Sequence, residues 1–349
     1  MVALYVTSVE AAGKTALCAG IGRKLIAQGR KVGYFKPVQL AEQGEGGGKD
    51  VAFVREALGL TESIDVISPL HLSRKELWQG LTDDEADFVQ GLKRAYGKLS
   101  KGKDIVLVEG LSELGEDKVS TLACQNISEI LDARVVIVLR YFPFVKLGEL
   151  TKVARKLGQR LFGVIINFAH EPSMEAVRQH LTESFEKSGV KVLGVIPEVR
   201  SLMGVSVKEL ADALKGEIVT CEDKADALVE DIMLGAMTPD SGIDYFGRKA
   251  NKAAIIRGDR ADMQLAALET STRCLVLTGN AKPLPAVAGQ AEDKCVPLVL
   301  VKQGVSETVS GVEKALARAS FCTSQKLKKF ESVLEKNLDL KALFSQVGL

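Results

Sequence analysis

The sequence predicts an α/β protein, a doubly wound and mostly parallel sheet followed by a second, smaller α/β unit. Three observations predict it. Short, nearly uninterrupted apolar runs alternate with helical periods through the first two-thirds of the chain, as in parallel sheets covered on both faces. The first such run stops at a loop ending in Gly13-Lys14-Thr15, and a helical pattern follows at once. Beyond Thr238 the alternation starts afresh, with its own turns.

In the first domain, residues 1–204, strands are expected over 3–7, 32–35, 105–109, 134–139, 163–167 and 191–196. Helical periods fall over 14–28, 51–58, 84–99, 144–157 and 174–188. A short helix over 207–214 and an acidic helical run over 224–235 read as linker helices within 205–238. The second domain, 239–323, reads as strand 253–257, helix 263–269, strand 274–278, helix 284–292, strand 298–301 and helix 306–318. The end of the chain, 324–349, carries a Lys-rich amphipathic pattern on Leu327, Phe330, Val333, Leu334 and Leu338. It suits a terminal helix packed on the second domain or a contact between subunits. Residues 42–49, with Gly44, Gly46, Gly47 and Gly48, read as a flexible loop, either a nucleotide-gated lid or a plain surface loop.

Composition narrows the function. The chain has 349 residues, long enough for two cores, and 46% hydrophobic with 26% charged residues is ordinary for a globular protein. Lys and Arg total 46 against 45 Asp and Glu, and aromatics are only 5%, so neither a polyanion-binding face nor a base-stacking platform is indicated. Nucleic acid is not an expected partner. Six dispersed cysteines without a C-x-x-C pair, and three histidines with none beside a cysteine, indicate reduced thiols rather than disulfides or zinc ligands. With no signal-peptide pattern and no apolar run of membrane-spanning length, a cytoplasmic location with no membrane partner is expected.

The chemistry gathers behind the first strand. Backbone N–H groups of a loop that feeds a helix face phosphate oxygens, the lysine reaches the terminal phosphates, and the threonine hydroxyl ligates magnesium. That assigns Ser8, Ala12, Gly13, Lys14, Thr15 and Ala16 to the nucleotide. The first glycine of the G-x-x-x-x-G-K-[ST] pattern is replaced by Ser8, whose Cβ and hydroxyl stand where glycine permits close backbone approach; weak affinity would follow. Glu109 closes the apolar strand Ile105–Val108 and is placed as a second magnesium ligand. Asp50 follows the glycine-rich segment and opens a helix, as a metal ligand or as a helix cap. Lys36, before Pro37, closes the second strand at the same end of the sheet as Lys14, suiting a second anionic group. Lys14, Lys36 and Glu109 are thus the catalytic candidates, and Thr15, Asp50 and Glu109 the metal ligands.

At these residues the first 200 or so positions resemble the dethiobiotin synthetase family of P-loop enzymes, which form a cyclic urea from a diamine carbamate by ATP-driven phosphorylation. The likeness rests on Gly13-Lys14-Thr15, Lys36-Pro37-Val38, Asp50 and Val108-Glu109-Gly110. It implies ATP and Mg2+ as cofactors, with Lys14 and Lys36 stabilising the transferring phosphoryl charge. Gly163-Val164-Ile165-Ile166-Asn167 is similar to the family's Gly-Val-Ile-x-Asn, implying that Asn167 contacts adenine. Gly194 to Glu198 resembles the next strand and the loop flanking the base, so Pro197 and Glu198 join the cofactor set. Leu111-Ser112 stands where the family has a small Ala-Gly-Gly run around the diamine, which speaks against dethiobiotin synthesis itself.

Residues 251–272, with Gly258-Asp259-Arg260-Ala261-Asp262, are similar to the DRTGG domain. This module accompanies CBS pairs in regulated pyrophosphatases and lies between a synthetase-like domain and the catalytic domain in long phosphotransacetylases. The whole chain resembles stand-alone proteins of the phosphotransacetylase family without the acetyl-transfer domain, so acetyl transfer is not expected. Asp259 and Arg260 fall in a strand-to-helix turn, where they suit an anionic ligand, an internal ion pair or a subunit contact. The resemblance implies a homodimer or higher homo-oligomer. Two functions follow: a nucleotide-sensing protein that regulates acetyl or phosphate metabolism, or an ATP-dependent ligase activating a small carboxylate or carbamate by phosphorylation.

Overall fold

The structure, a computed structural model, describes residues 1–41, 46–82, 86–112, 114–115, 117–142, 147–170, 174–235, 242–317, 321, 323–340 and 343–344. The chain forms two compact units, Met1–Glu198 with Cys322–Leu349, and Val199–Phe321.

The first unit is built on β1 (Val2–Ser8), β2 (Val32–Phe35), β5 (Ile105–Glu109), β6 (Arg134–Arg140), β7 (Leu161–Ala169) and β8 (Val192–Pro197). They pair in the order β2-β5-β1-β6-β7-β8, all parallel. A small parallel pair, β3 (Val38–Leu40) with β4 (Leu70–Leu72), stands apart from this sheet. The apolar runs are explained by burial: every residue of β2 and β5 is buried, as are Ala3 to Ser8 of β1. After β1 the chain builds toward β2 on one side, and after β5 it crosses to β6 on the other. The strand order therefore reverses beside β1, and the crevice beyond the carboxyl ends of such strands is where ligands of these sheets bind. Helix α1 (Lys14–Ala27) begins there.

The helix Ser324–Asn337 belongs to the first unit, not to the second as expected. It lies along α1 in the first, where Gly20 lets it approach: a Cβ at position 20 would stand 2.5 Å from Leu334 Cδ1. Arg23 pairs with Glu331 at 2.9 Å, Lys24 with Glu335, and Leu338 bridges to Gly194 of β8. Glycine at position 20 carried this information, and its small size has no periodic signature. The segment expected as a loop over 42–49 also differs. Helix α2 (Gly46–Ala57) begins inside it, while 42–45 lie outside the described residues.

In the second unit β12 (Asp231–Leu234), β13 (Lys252–Arg257), β14 (Thr272–Thr278) and β15 (Leu298–Leu300) run parallel in sequence order, with β10 (Glu217–Ile218) antiparallel at the β15 edge. A two-residue pair, β9 (Val205–Ser206) with β11 (Leu228–Val229), adjoins the helix Val207–Leu214. Period-two alternation divides the core. Ala253, Ile255, Cys274 and Val276 face Leu210, Leu214 and Val312; Ala254, Ile256, Leu275 and Leu277 face Met263, Leu268 and Val287. Residues 224–235 are accordingly not the expected helix. Leu228-Val229 and Ile232-Met233-Leu234 are strand residues, and the acidic residues between them gave a false helical period.

Lys252 is wholly buried at the start of β13. Its ammonium donates to Lys249 O at 3.1 Å, Thr270 Oγ1 at 2.9 Å and Ser271 O at 3.1 Å, all neutral oxygens. Burial pushes its pKa down from the ordinary 10.5 to about 8. The unfolded chain holds that proton up to 10.5, so the folded state gains as pH rises from 8 to 10.5 and loses the gain as pH falls back through 8. Urea unfolding of the Val199–Phe321 unit should show the unmodified chain gaining stability relative to Lys252→Met across that window. At neutral pH Lys252→Met, which leaves two carbonyls unpaired, should cost about 1–3 kcal/mol.

Candidate functional site

The site begins where β1 ends. Gly13, the cap of α1, has φ +85°, a left-handed conformation that favours glycine, and a Cβ there would stand 2.9 Å from Asn167 Nδ2. Ser8 is fully buried; its hydroxyl donates to Glu10 O and accepts from Lys14 Nζ at 2.9 Å. A second hydroxyl, Ser112 Oγ, accepts from the same Nζ at 2.6 Å. The lysine is thus folded back into the loop and held by two neutral oxygens.

Glu109 is the centre of the second group. The register Val6↔Glu109 sets it beside β1, and Gly110 follows because a Cβ there would meet the Tyr5 ring at 2.4 Å. Glu109 is 3% exposed. Thr15 Oγ1 donates to its Oε1 at 3.0 Å and Tyr34 OH to its Oε2 at 2.7 Å. Lys36 Nζ stands 3.3 Å from Glu109 Oε1 and 3.7 Å from Asp50 Oδ2. Five side chains from α1, β2, the turn after it, α2 and β5 thereby share one polar cluster. Asp50 lies within α2, not at its opening, so it reaches the cluster from inside a helix and does not cap it.

Protonation follows from these contacts. Burial alone would raise Glu109, but Lys36, Lys14 and the Tyr34 and Thr15 hydroxyls outweigh it and hold the carboxyl below its ordinary range. Burial would lower Lys36, yet Glu109 and Asp50 hold it above its ordinary value. Lys14 has hydroxyls as its hydrogen-bond partners, and burial draws it down despite the pull of Glu109. The two lysines are therefore tuned in opposite directions.

The donor set is compatible with magnesium. Thr15 and Glu109 bring oxygens to one point, Asp50 adjoins through Lys36, and oxygen is the ligand type that hard cations take. Among the described residues no group of three or more His, Cys, Asp or Glu is arranged to hold a metal. An ion here would draw on Thr15, Glu109 and Asp50 together with phosphate oxygens.

On the other flank, Asn167 Nδ2 donates to Ala12 O at 2.9 Å, and Asn167 Oδ1 accepts from Phe168 N at 2.9 Å. Pro197 pairs with Ala169, and Glu198 N donates to Ala169 O at 2.8 Å, so both adjoin the end of β7. Ala12 and Ala16 are buried in and just after the loop. In the second unit Asp259 and Arg260 each have a charge partner within the turn. Arg257 donates to Asp259, and Arg260 Nε and Nη2 donate to Asp262 at 2.9 and 2.8 Å, tying both charges into the turn. Sequence reasoning missed Tyr34 and Ser112. Tyr34 was within reach, since positions 34 and 36 share a face at strand spacing; Ser112 was marked only as a departure from the family's Ala-Gly-Gly run, with nothing local to pair it with Lys14.

A family model described as an AAA domain matches residues 2–206, and one described as a DRTGG domain matches residues 209–315. The chain belongs to the AAA domain family. It is 27% identical over 218 residues to the ATP-dependent dethiobiotin synthetase of Methanococcus vannielii, covering 59% of this chain and 98% of that protein. It is 23% identical over 376 aligned positions to the phosphate acetyltransferase of Nitratidesulfovibrio vulgaris, covering 99% of this chain and 51% of that protein, so it spans about half the length of that curated relative. Among solved structures, the CBS and DRTGG domains of the regulatory region of Clostridium perfringens pyrophosphatase, complexed with the activator diadenosine tetraphosphate, match with TM-score 0.30. That match has 12% identity over 39% of this chain and 69% of that one. The architecture is a dethiobiotin-synthetase-like P-loop domain followed by a DRTGG domain. No helix among the described residues is long and apolar enough to cross a membrane.

Replacing Glu109 by Gln removes the buried charge between Lys36 and Tyr34 and should cost about 3 kcal/mol of stability. A carboxyl held below its unfolded value of 4.5 stabilises above that pH and loses the contribution as pH falls through its folded value. Urea unfolding of the two proteins should therefore differ most near neutrality and converge as the pH drops below 4.5.

Proposed function

We propose that the first unit binds ATP with magnesium and that the chain is a nucleotide-sensing regulator of acetyl or phosphate metabolism. In this reading the DRTGG domain passes the nucleotide state to a self-associated assembly in the cytoplasm. One observation carries the proposal. Lys14 is buried at the head of α1, held by two hydroxyls that a terminal phosphate outbids as an acceptor, beside a Thr15–Glu109 oxygen pair suited to magnesium. ATP's phosphates would meet the loop from Ser8 to Ala16, and its base would lie toward Pro197 and Glu198. Bound magnesium would supply charge neutralisation between the phosphates, with Thr15, Glu109 and Asp50 as its protein oxygens.

The Lys36 cluster favours a second reading, a ligase that activates a small carboxylate or carbamate by phosphorylation. A lysine held fully protonated next to Lys14 adds a positive charge that nucleotide binding alone does not require.

Calorimetric titration with ATP and magnesium tests the first reading, with Lys14→Ala as control. Binding by the unmodified chain should fall at least about tenfold in Lys14→Ala, the loss of one charge-assisted contact. Equal affinity in both proteins, or none in either, overturns it. Phosphate release stimulated by a small carboxylate would move the assignment to the ligase, and Lys36→Ala should then abolish release while ATP still binds.

A further inference from the structure

The side chain of Asn167 stands against the phosphate loop itself, and its placement is unusual in three ways. Its two amide atoms have different partners, Ala12 O for Nδ2 and Phe168 N for Oδ1, and only this orientation satisfies both. It is 4% exposed, leaving little amide surface for a ligand to read. It also stands where a Cβ on Gly13 would be, 2.9 Å away, so glycine and asparagine occupy one space.

The surroundings fix the amide from behind. Phe168 has φ +60°, a left-handed conformation rare for an aromatic residue, and the bond from its N–H to Asn167 Oδ1 helps to hold it there. Arg140 lies over the Phe168 ring, 4.4 Å from the centroid, and Tyr141 N donates to Asn167 O at 2.8 Å. The ends of β6 and β7 are thus held together, and from them the Asn167 amide reaches Ala12 O in the loop.

We infer that Asn167 is a positioning residue for phosphate binding: it fixes the carbonyl of Ala12, and with it the left-handed Gly13, so that the loop amides and Lys14 face the phosphates. It does not read the base. The inference rests on the nucleotide reading above and assigns the asparagine a different part in it. Because the contact is to loop backbone, its loss should act on every ligand that carries a triphosphate, whatever the base.

The test compares ATP, GTP and inorganic tripolyphosphate, each with magnesium, on the unmodified chain, Asn167→Ala and Asn167→Asp. Asn167→Asp keeps the acceptor for Phe168 N but turns a carboxylate oxygen on the Ala12 carbonyl, so it too should lose the loop contact. Both variants should weaken all three ligands by one common factor, on the order of tenfold. A variant that loses ATP affinity while binding tripolyphosphate as tightly as the unmodified chain overturns the inference and makes Asn167 a base reader. If neither variant folds, as judged by thermal melting, the unmodified protein decides by NMR. The Asn167 side-chain amide signal should shift alike with tripolyphosphate and with ATP, and a shift seen with ATP alone overturns the inference. Absence of ATP and tripolyphosphate binding by the unmodified chain would instead overturn the nucleotide reading, and this inference with it.

Discussion

The first unit is organised around one buried negative charge. A carboxylate taken out of water without partners is among the most costly things a fold can hold, and removing one member of a buried pair is correspondingly severe. Glu109 meets that cost by drawing a hydroxyl from α1, a phenol from β2 and an ammonium from the turn after β2. Each partner sits on a different element, so satisfying the charge also fixes how α1 and β2 stand on β5. Gly110 belongs to the same constraint. The strand can carry its acid beside β1 only because the next residue leaves room for the Tyr5 ring.

From that cluster the two lysines acquire different characters. Lys36, against two carboxylates, is held above its ordinary value; Lys14, held by hydroxyls and drawn down by burial, has most to gain from an anion. A fixed cation paired with a responsive one is the electrostatic arrangement a phosphate site needs, since preorganised charge requires no rearrangement when the anion arrives. It suits sensing and phosphoryl transfer equally, and the difference between them lies in what else occupies the space near Lys36.

Much of this was legible in the sequence. Fully buried parallel strands announce themselves as apolar runs, so the six central strands of the first unit were read within two residues at either end. Gly13-Lys14-Thr15, Lys36 and Glu109 fall at strand ends or the helix start, where chain order alone sets their place. What escaped depends on long-range contact. The docking of Ser324–Asn337 on α1 turns on the bare Cα of Gly20, some three hundred positions away. Ser112 meets Lys14 only because β5 and β1 are neighbours. Residues 224–235 misled for a different reason: two short edge strands separated by acids imitate the period of an amphipathic helix, and their partners, β9 and β13, lie outside the segment.

Ser8 shows how a departure from a motif is best weighed. The pattern has glycine there because a loop that wraps phosphates often needs a left-handed residue or a bare Cα. Here Ser8 is the last residue of a regular strand and is not among the residues with positive φ; in this loop only Gly13 is. No backbone strain attends the substitution, and the hydroxyl points into the loop as an acceptor for Lys14. What serine adds is competition: its oxygen holds the ammonium that a phosphate would claim, so binding must exchange one acceptor for a stronger one. Ser8 and Ser112 set the resting position of Lys14 together, and the gain left on binding is the difference between two neutral hydroxyls and a charged phosphate.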